Sequence, residues 1–277
     1  MSNKEIETII EDSFRELETV IKEGTCESNI IIPNYRNDEK VKEENKQKKK
    51  GEKRYSEQEL KQIFIRRILN QNQLFFSVET PSENIYNFKE NPRVIFPNES
   101  YDNEDNNFLS ARIDVSLYHK ANFIEKKTEQ NLMSHLEFKY GQCDKKNIQK
   151  DFLKLICENN GKNKNYFIHY LYLKEKEINN RSKKSIAAIF SKYSRSIECV
   201  KKEINNRHFS SKELENRFEQ AIIYINFIGL NKKYSFSMAD LLSIQDVFDK
   251  KTNSRKYVIN EAEFEEWKNK KELDKHE

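Results

Sequence analysis

Three residues stand at a spacing that could handle a phosphate: Asp114, Glu137 and Lys139. Asp114 lies in the run Ala111-Arg-Ile-Asp-Val-Ser-Leu-Tyr118, and the other two close the run Leu132-Met-Ser-His-Leu-Glu-Phe-Lys139. Both runs read as short strands. Residues two apart in a strand share a face, so Glu137 and Lys139 emerge side by side while Phe138 turns to the packed side. If the two strands pair as a hairpin, Asp114 reaches the same edge. Two carboxylates suit a hard divalent cation such as Mg²⁺ or Mn²⁺, which takes few protein ligands and keeps its waters. Such a metal stabilises charge developing on a phosphate oxygen, and the Lys139 ammonium can orient a metal-bound water or help deprotonate it. A bare Glu-X-Lys also arises by chance in a chain rich in Lys and Glu, as a solvated strand edge with an incidental ion pair. The apolar surroundings weigh against that, because a charge inside such a strand costs stability unless it is paired or functional.

The residues Asp114 and Glu137-Phe138-Lys139 resemble the motif of the PD-(D/E)XK nuclease superfamily, with Ile113 standing where the motif has Pro. The resemblance implies a restriction-endonuclease-like αβββαβ core over about residues 56–174, a mixed central sheet flanked by helices, with N- and C-terminal helical additions. It implies Asp114, Glu137 and the Phe138 backbone carbonyl as metal ligands, and Lys139 as the residue that positions the attacking water. Mg²⁺ or Mn²⁺ would be the cofactor and nucleic acid the substrate, DNA ahead of RNA. In that family the helix before the sheet often aims an acid at the metal, which nominates Glu59, then Glu57, beside plain helix capping. A Gln or Lys on the helix after the Glu-X-Lys strand often completes the site, which nominates Gln149 and Lys150, with Lys154 behind them. Prokaryotic restriction or anti-phage defence is the setting that analogy with the fold suggests.

Composition sets the bounds. A chain of 277 residues accommodates one large domain, or one with a smaller attachment. Apolar residues make up 36%, below the usual ~45–50%, so much of the chain must be surface. The net charge of +4 is no polycation; a nucleic-acid surface would have to be a local patch. Cys26, Cys143, Cys157 and Cys199 form no Cys-x-x-Cys pair and have no zinc-finger His, which suggests reduced thiols and a cytoplasmic protein. No secretory signal and no membrane span are expected.

The elements that must position these residues follow from periodicity. Residues 3–23 carry Ile6, Ile9, Ile10, Phe14, Leu17, Val20 and Ile21 on one helical face. Packing within the chain or on a partner helix explains the stripe; a homodimer seam is the sharper alternative. Residues 34–54 are a charged linker. Ser56 and Glu59 open a helix to residue 70 with a capping box. Leu74–Glu79 reads as a strand ended by Thr80-Pro81-Ser82, followed by a polar loop to 107. His119 to Asn131 connects the motif strands, and His135 reads as a polar sheet-edge residue. Residues 146–158 form a helix with Ile148, Phe152, Leu155 and Ile156 inward and its charges solvated. Asn165–Leu173 is a strand, 183–206 a helix with a basic surface, 221–230 a strand, 237–248 a short helix, and 260–272 a charged helix anchored by Phe264 and Trp267. The chain thus divides into an N-terminal helix and extension (1–33), the linker (34–54), the core (55–175) and a C-terminal helical and mixed extension packed on it (176–277).

No Gly-Lys-Ser/Thr loop, Gly-x-Ser-x-Gly or His-Glu-x-x-His occurs, which disfavours nucleotide hydrolases and other hydrolase classes. The alternative to a nuclease is a catalytically inactive module of the same fold that binds nucleic acid or a partner protein.

Overall fold

The computed structural model describes residues 3–23, 56–71, 74–88, 92–96, 109–120, 132–159, 161–172, 186–204 and 209–243, with the isolated residues Glu266 and Asn269. The expected linker at 34–54, Cys26, most of the connection between the motif strands, and the anchors Phe264 and Trp267 lie outside them. The chain divides into two compact units, Met1–Leu74 and Phe75–Glu277.

The first unit pairs helix α1 (Asn3–Glu23) with helix α2 (Glu57–Leu69). The whole apolar stripe of α1 is buried within the single chain, so its pattern needs no second copy. Polar clamps fix the helix pair: Arg66 reaches Glu16 at 3.0 Å, and Arg67 reaches Glu16 at 2.8 Å and Asp12 at 3.5 Å. The capping box at Ser56 forms as the sequence predicts.

The second unit is built on one seven-stranded sheet in the order β2-β1-β3-β4-β5-β6-β7. Its strands are β1 (Leu74–Asn87), β2 (Arg93–Ile95), β3 (Leu109–His119), β4 (Leu132–Tyr140), β5 (Asn165–Tyr172), β6 (Ala221–Ile228) and β7 (Lys232–Ser237). β3 and β4 are antiparallel; β4, β5 and β6 run parallel; β7 returns antiparallel. Parallel neighbours require crossovers. Helix α3 (Lys145–Cys157) makes the first, and α4 (Ile186–Ile204) with α5 (Ser211–Gln220) makes the second. Every residue of β6 is buried, as a central parallel strand covered on both faces requires. On the helix-covered face, Phe152 of α3 and Phe190 and Tyr193 of α4 pack with Phe167, Ile223, Ile225 and Phe227.

This is a mixed α/β architecture, as the order of elements predicts. Four local expectations change. Thr80-Pro81-Ser82 does not end the first strand, which continues to Asn87. Glu79 takes a positive φ of 51° there, so the strand kinks and resumes instead of stopping. The loop expected at 82–107 contains the short edge strand β2. Helix α5 and strand β7 go beyond the elements read from the sequence. Arg217 of α5 caps the end of α3, with its guanidinium donating to the carbonyls of Ile156 (3.1 Å), Cys157 (3.3 Å) and Asn159.

Candidate active site

Strand β4 lies inside the sheet, between β3 and β5. Glu137 is therefore no solvated strand edge: it is 2% exposed. The register pairs Val115 with Leu136, and one step further sets Asp114 opposite Glu137. At that step the Phe138 N–H donates to Asp114 Oδ2 at 2.8 Å, so the Asp114 carboxylate takes a place on the ladder. A strand residue sends its N–H and C=O toward the same neighbour, so the Phe138 carbonyl is directed to the Asp114 side as well. Phe138's ring is buried on the face opposite Glu137 and Lys139, as the alternation predicts.

Helix α3 completes the cluster. Lys154 Nζ lies 2.5 Å from Glu137 Oε1 and 3.1 Å from Asp151 Oδ1, and donates to the Arg112 carbonyl at 2.9 Å. Lys139 Nζ lies 3.0 Å from Asp151 Oδ2. Asp151 thus stands between the two ammonium groups. Asp151 and Lys154 are both buried, which corrects the reading of the α3 charges as solvated. Lys139 keeps 17% of its side chain exposed, against 9% for Lys154, so Lys139 is the ammonium nearer to water. Three carboxylates face two ammonium groups. The Glu137 carboxyl is held above its usual range, first by burial and then by Asp151 and Asp114, against the pull of Lys154 and Lys139. Lys154 is raised: burial works against its charge, but Glu137 and Asp151 outweigh it.

Two neutral histidines border the cluster. His135 is buried beside Ser116 Oγ at 2.8 Å, and desolvation, with Lys154 nearby, pushes it down to about 4. It is a buried residue of a central strand, not the sheet-edge histidine expected. His169 pairs in register with Lys139; its Nε2–H donates to the Gly141 carbonyl (2.7 Å), so in the neutral ring Nδ1 accepts from the Tyr193 hydroxyl. Burial pushes it down to about 3, so it adds no positive charge next to Lys139 at neutral pH.

Of the other nominated residues, Glu59 belongs to the first unit, where its Oε2 accepts from the Ser56 N–H (2.8 Å) and Ser56 Oγ (2.5 Å) in the cap of α2. Lys150 sets its ammonium 5.3 Å from the centre of the Phe88 ring, and Gln149 is buried on α3 without belonging to the ion-pair network. Asp151 was passed over because an isolated Asp on an amphipathic helix looks like any solvated charge. Its i,i+3 spacing to Lys154 was the available signal.

Asp114, Glu137 and a strand carbonyl are hard oxygens, the donor type that a Mg²⁺-like ion takes. Among the described residues no group of three or more His, Cys, Asp or Glu side chains is arranged to hold a metal ion. No described helix is long and apolar enough to cross a membrane, and Cys143, Cys157 and Cys199 are unbridged. No family model matches the chain, and comparison with curated proteins and with solved structures finds no match.

Proposed function

We propose that the chain is a metal-dependent nuclease of the PD-(D/E)XK type, hydrolysing phosphodiester bonds in nucleic acid, with DNA the first substrate to test. One observation carries the reading: a fully buried Glu137 on a central strand, with Asp114 locked across from it on the Phe138 N–H. A fold gains no stability from collecting carboxylates in its interior, so their convergence supports a role in chemistry. The chain order α2, β1, β3, β4, α3, β5, with β2 as an added edge strand, is the αβββαβ order of the restriction-endonuclease-like core and supports the same reading.

Asp114, Glu137 and the Phe138 carbonyl would hold the Mg²⁺ or Mn²⁺. The bound ion supplies charge stabilisation at the phosphate oxygens and a more acidic water. Lys139, the more exposed ammonium, orients the attacking water from the solvent side of the cluster. Asp151 holds the Lys139 ammonium in position. A phosphate that approaches with its metal meets these carboxylates more favourably than a bare polyanion would. Restriction or anti-phage defence is the setting we attach to this activity, by analogy with the fold.

The inactive-module reading has one observation in its favour: Lys139 and Lys154 engage Asp151 and Glu137 as ion pairs within the chain. Cleavage assays separate the two. Supercoiled, linear and single-stranded DNA and RNA are incubated with Mg²⁺ or Mn²⁺, with Asp114→Asn and Lys139→Ala alongside. Metal-dependent cleavage lost in both variants establishes the nuclease. If no substrate is cut and no metal binds, the scaffold reading stands.

A further inference from the structure

The Lys154 ammonium sits in a cup of three oxygens: Glu137 Oε1 at 2.5 Å, Asp151 Oδ1 at 3.1 Å and the Arg112 carbonyl at 2.9 Å. Two carboxylates and a backbone carbonyl are the ligands a hard cation takes. An ammonium has three protons to donate, and here there are three acceptors within reach. We propose that Lys154 is a resident counter-ion, which occupies the inner side of the site when no metal is bound and must withdraw from Glu137 when a divalent cation binds. This inference rests on the metal-dependent reading above and concerns how that site is kept and opened.

The argument is electrostatic. Without Lys154, Glu137 would be buried beside Asp151 and Asp114 with little compensation, and an uncompensated buried charge is strongly destabilising. Lys154 therefore stabilises the metal-free protein. The same contact obstructs metal binding. A divalent ion on Glu137 and an ammonium on the same carboxylate would be close, like-charged neighbours in a medium of low polarity. Asp151 offers the retreat. It contacts Lys154 through Oδ1 and Lys139 through Oδ2, so Lys154 can release Glu137 while keeping Asp151 and the Arg112 carbonyl. Withdrawal would then need only a shift at the end of one side chain on a helix that stays in place. Metal affinity would be set lower than the carboxylates alone would give, and occupancy would follow the supply of divalent cation or of a metal-carrying phosphate.

The test measures Mn²⁺ binding by calorimetry to the wild-type chain and to Lys154→Met, which keeps the bulk of the side chain and removes its charge. Thermal unfolding is followed with and without Mn²⁺. Lys154→Met should unfold at lower temperature without metal, bind Mn²⁺ at least about tenfold more tightly, since a neighbouring like charge has been removed, and recover more stability from Mn²⁺ than the wild type does. Equal or weaker Mn²⁺ affinity in Lys154→Met overturns the counter-ion role while leaving the nuclease reading intact. Absence of Mn²⁺ binding to both proteins overturns the two together. Should Lys154→Met fail to fold, the wild type decides: the Lys154 ζ-ammonium resonance is followed by NMR as Mg²⁺ is added. Displacement of that resonance at saturating metal supports the exchange, and an unmoved resonance overturns it.

Discussion

Helix α3 is flanked by two buried carboxylates that are held in opposite ways. Glu158, at its C-terminal cap, accepts from four uncharged donors: the Glu83 N–H (2.8 Å), the Asn84 N–H (3.2 Å), Asn84 Nδ2 (2.8 Å) and Tyr86 Oη (2.7 Å). Burial raises the Tyr86 phenol well above its usual range, so it stays a neutral donor. Glu137, against the middle of the same helix, is held by an ammonium and opposed by two other carboxylates. The first arrangement is what a fold uses to bury an acid for its own sake: both oxygens find donors, and none of those donors is itself an ion. The second sets the acid among other ions, so that burial and two neighbouring carboxylates push its carboxyl up while two ammonium groups pull it down. The difference teaches that burial of an acid is no functional signal by itself. The nature of its partners is.

The widest separation between the two regions should come from Glu158→Ala. It strands several buried donors and should cost about 3 kcal/mol or more, read from urea unfolding, with Mn²⁺ binding unchanged among molecules that remain folded. An equal loss of metal binding would break the distinction. Asp114→Asn should do the reverse. Its amide oxygen can still accept from the Phe138 N–H, so stability should move by less than about 1 kcal/mol. Cleavage should fall at least about a hundredfold, above the loss typical for partners one shell further from a metal. Glu137→Gln should show the opposite sign to Glu158→Ala in a metal-free stability assay. It leaves two carboxylates for two ammonium groups, and should raise stability at neutral pH by up to about 1 kcal/mol. The sign follows from the raised carboxyl: what the protonated Glu137 contributes is fully present below the unfolded value and is lost as pH rises through the folded one. The Glu137→Gln protein should lack that loss.

The smallest effect concerns the histidines that border the charged region. His135 and His169 are held neutral down to about 4 and about 3, whereas in the unfolded chain they take up protons near the ordinary value of about 6.5. The unfolded state therefore binds more protons, and stability falls as pH drops below that value. Between pH 7 and pH 6 the loss should be about 0.7 kcal/mol for each histidine, and His135→Gln should remove one share of it in a pH series of unfolding curves.

What could be read from the chain in advance follows the strength of local periodicity. Helix α1 has the bounds its Ile and Leu spacing predicts, and the alternation in Leu132–Lys139 correctly turns Glu137 away from Phe138. The apolar run Ala221–Ile228 is a strand as expected. The partnership of Glu137 with Asp151 and Lys154 was illegible, because it depends on which side of α3 meets β4, and almost every residue from Ile148 to Cys157 is buried. A helix covered on two sides offers no polar face by which to orient it. Strand β7 carries its signal in Tyr234 and Phe236, diluted by Lys and Ser. Helix α5 announced itself through Ser210, whose hydroxyl accepts from the Glu213 N–H, and through Leu214 and Phe218. Both were short enough to be overlooked between longer runs.

The crossover through α3 also bears on the order in which the molecule assembles. The pairs Lys139–Asp151 and Lys154–Glu137 each join residues fewer than twenty apart along the chain, while the parallel contact of β5 with β6 joins Tyr166 to Ile222, more than fifty apart. Closing a short loop costs less chain entropy than closing a long one. The β4–α3–β5 segment can therefore condense as an early nucleus, in which lysines and carboxylates meet while water still surrounds them. During synthesis this leaves an interval in which the apolar edge of β5 has emerged and its partner has not, and the translating chain is most exposed to mispairing there.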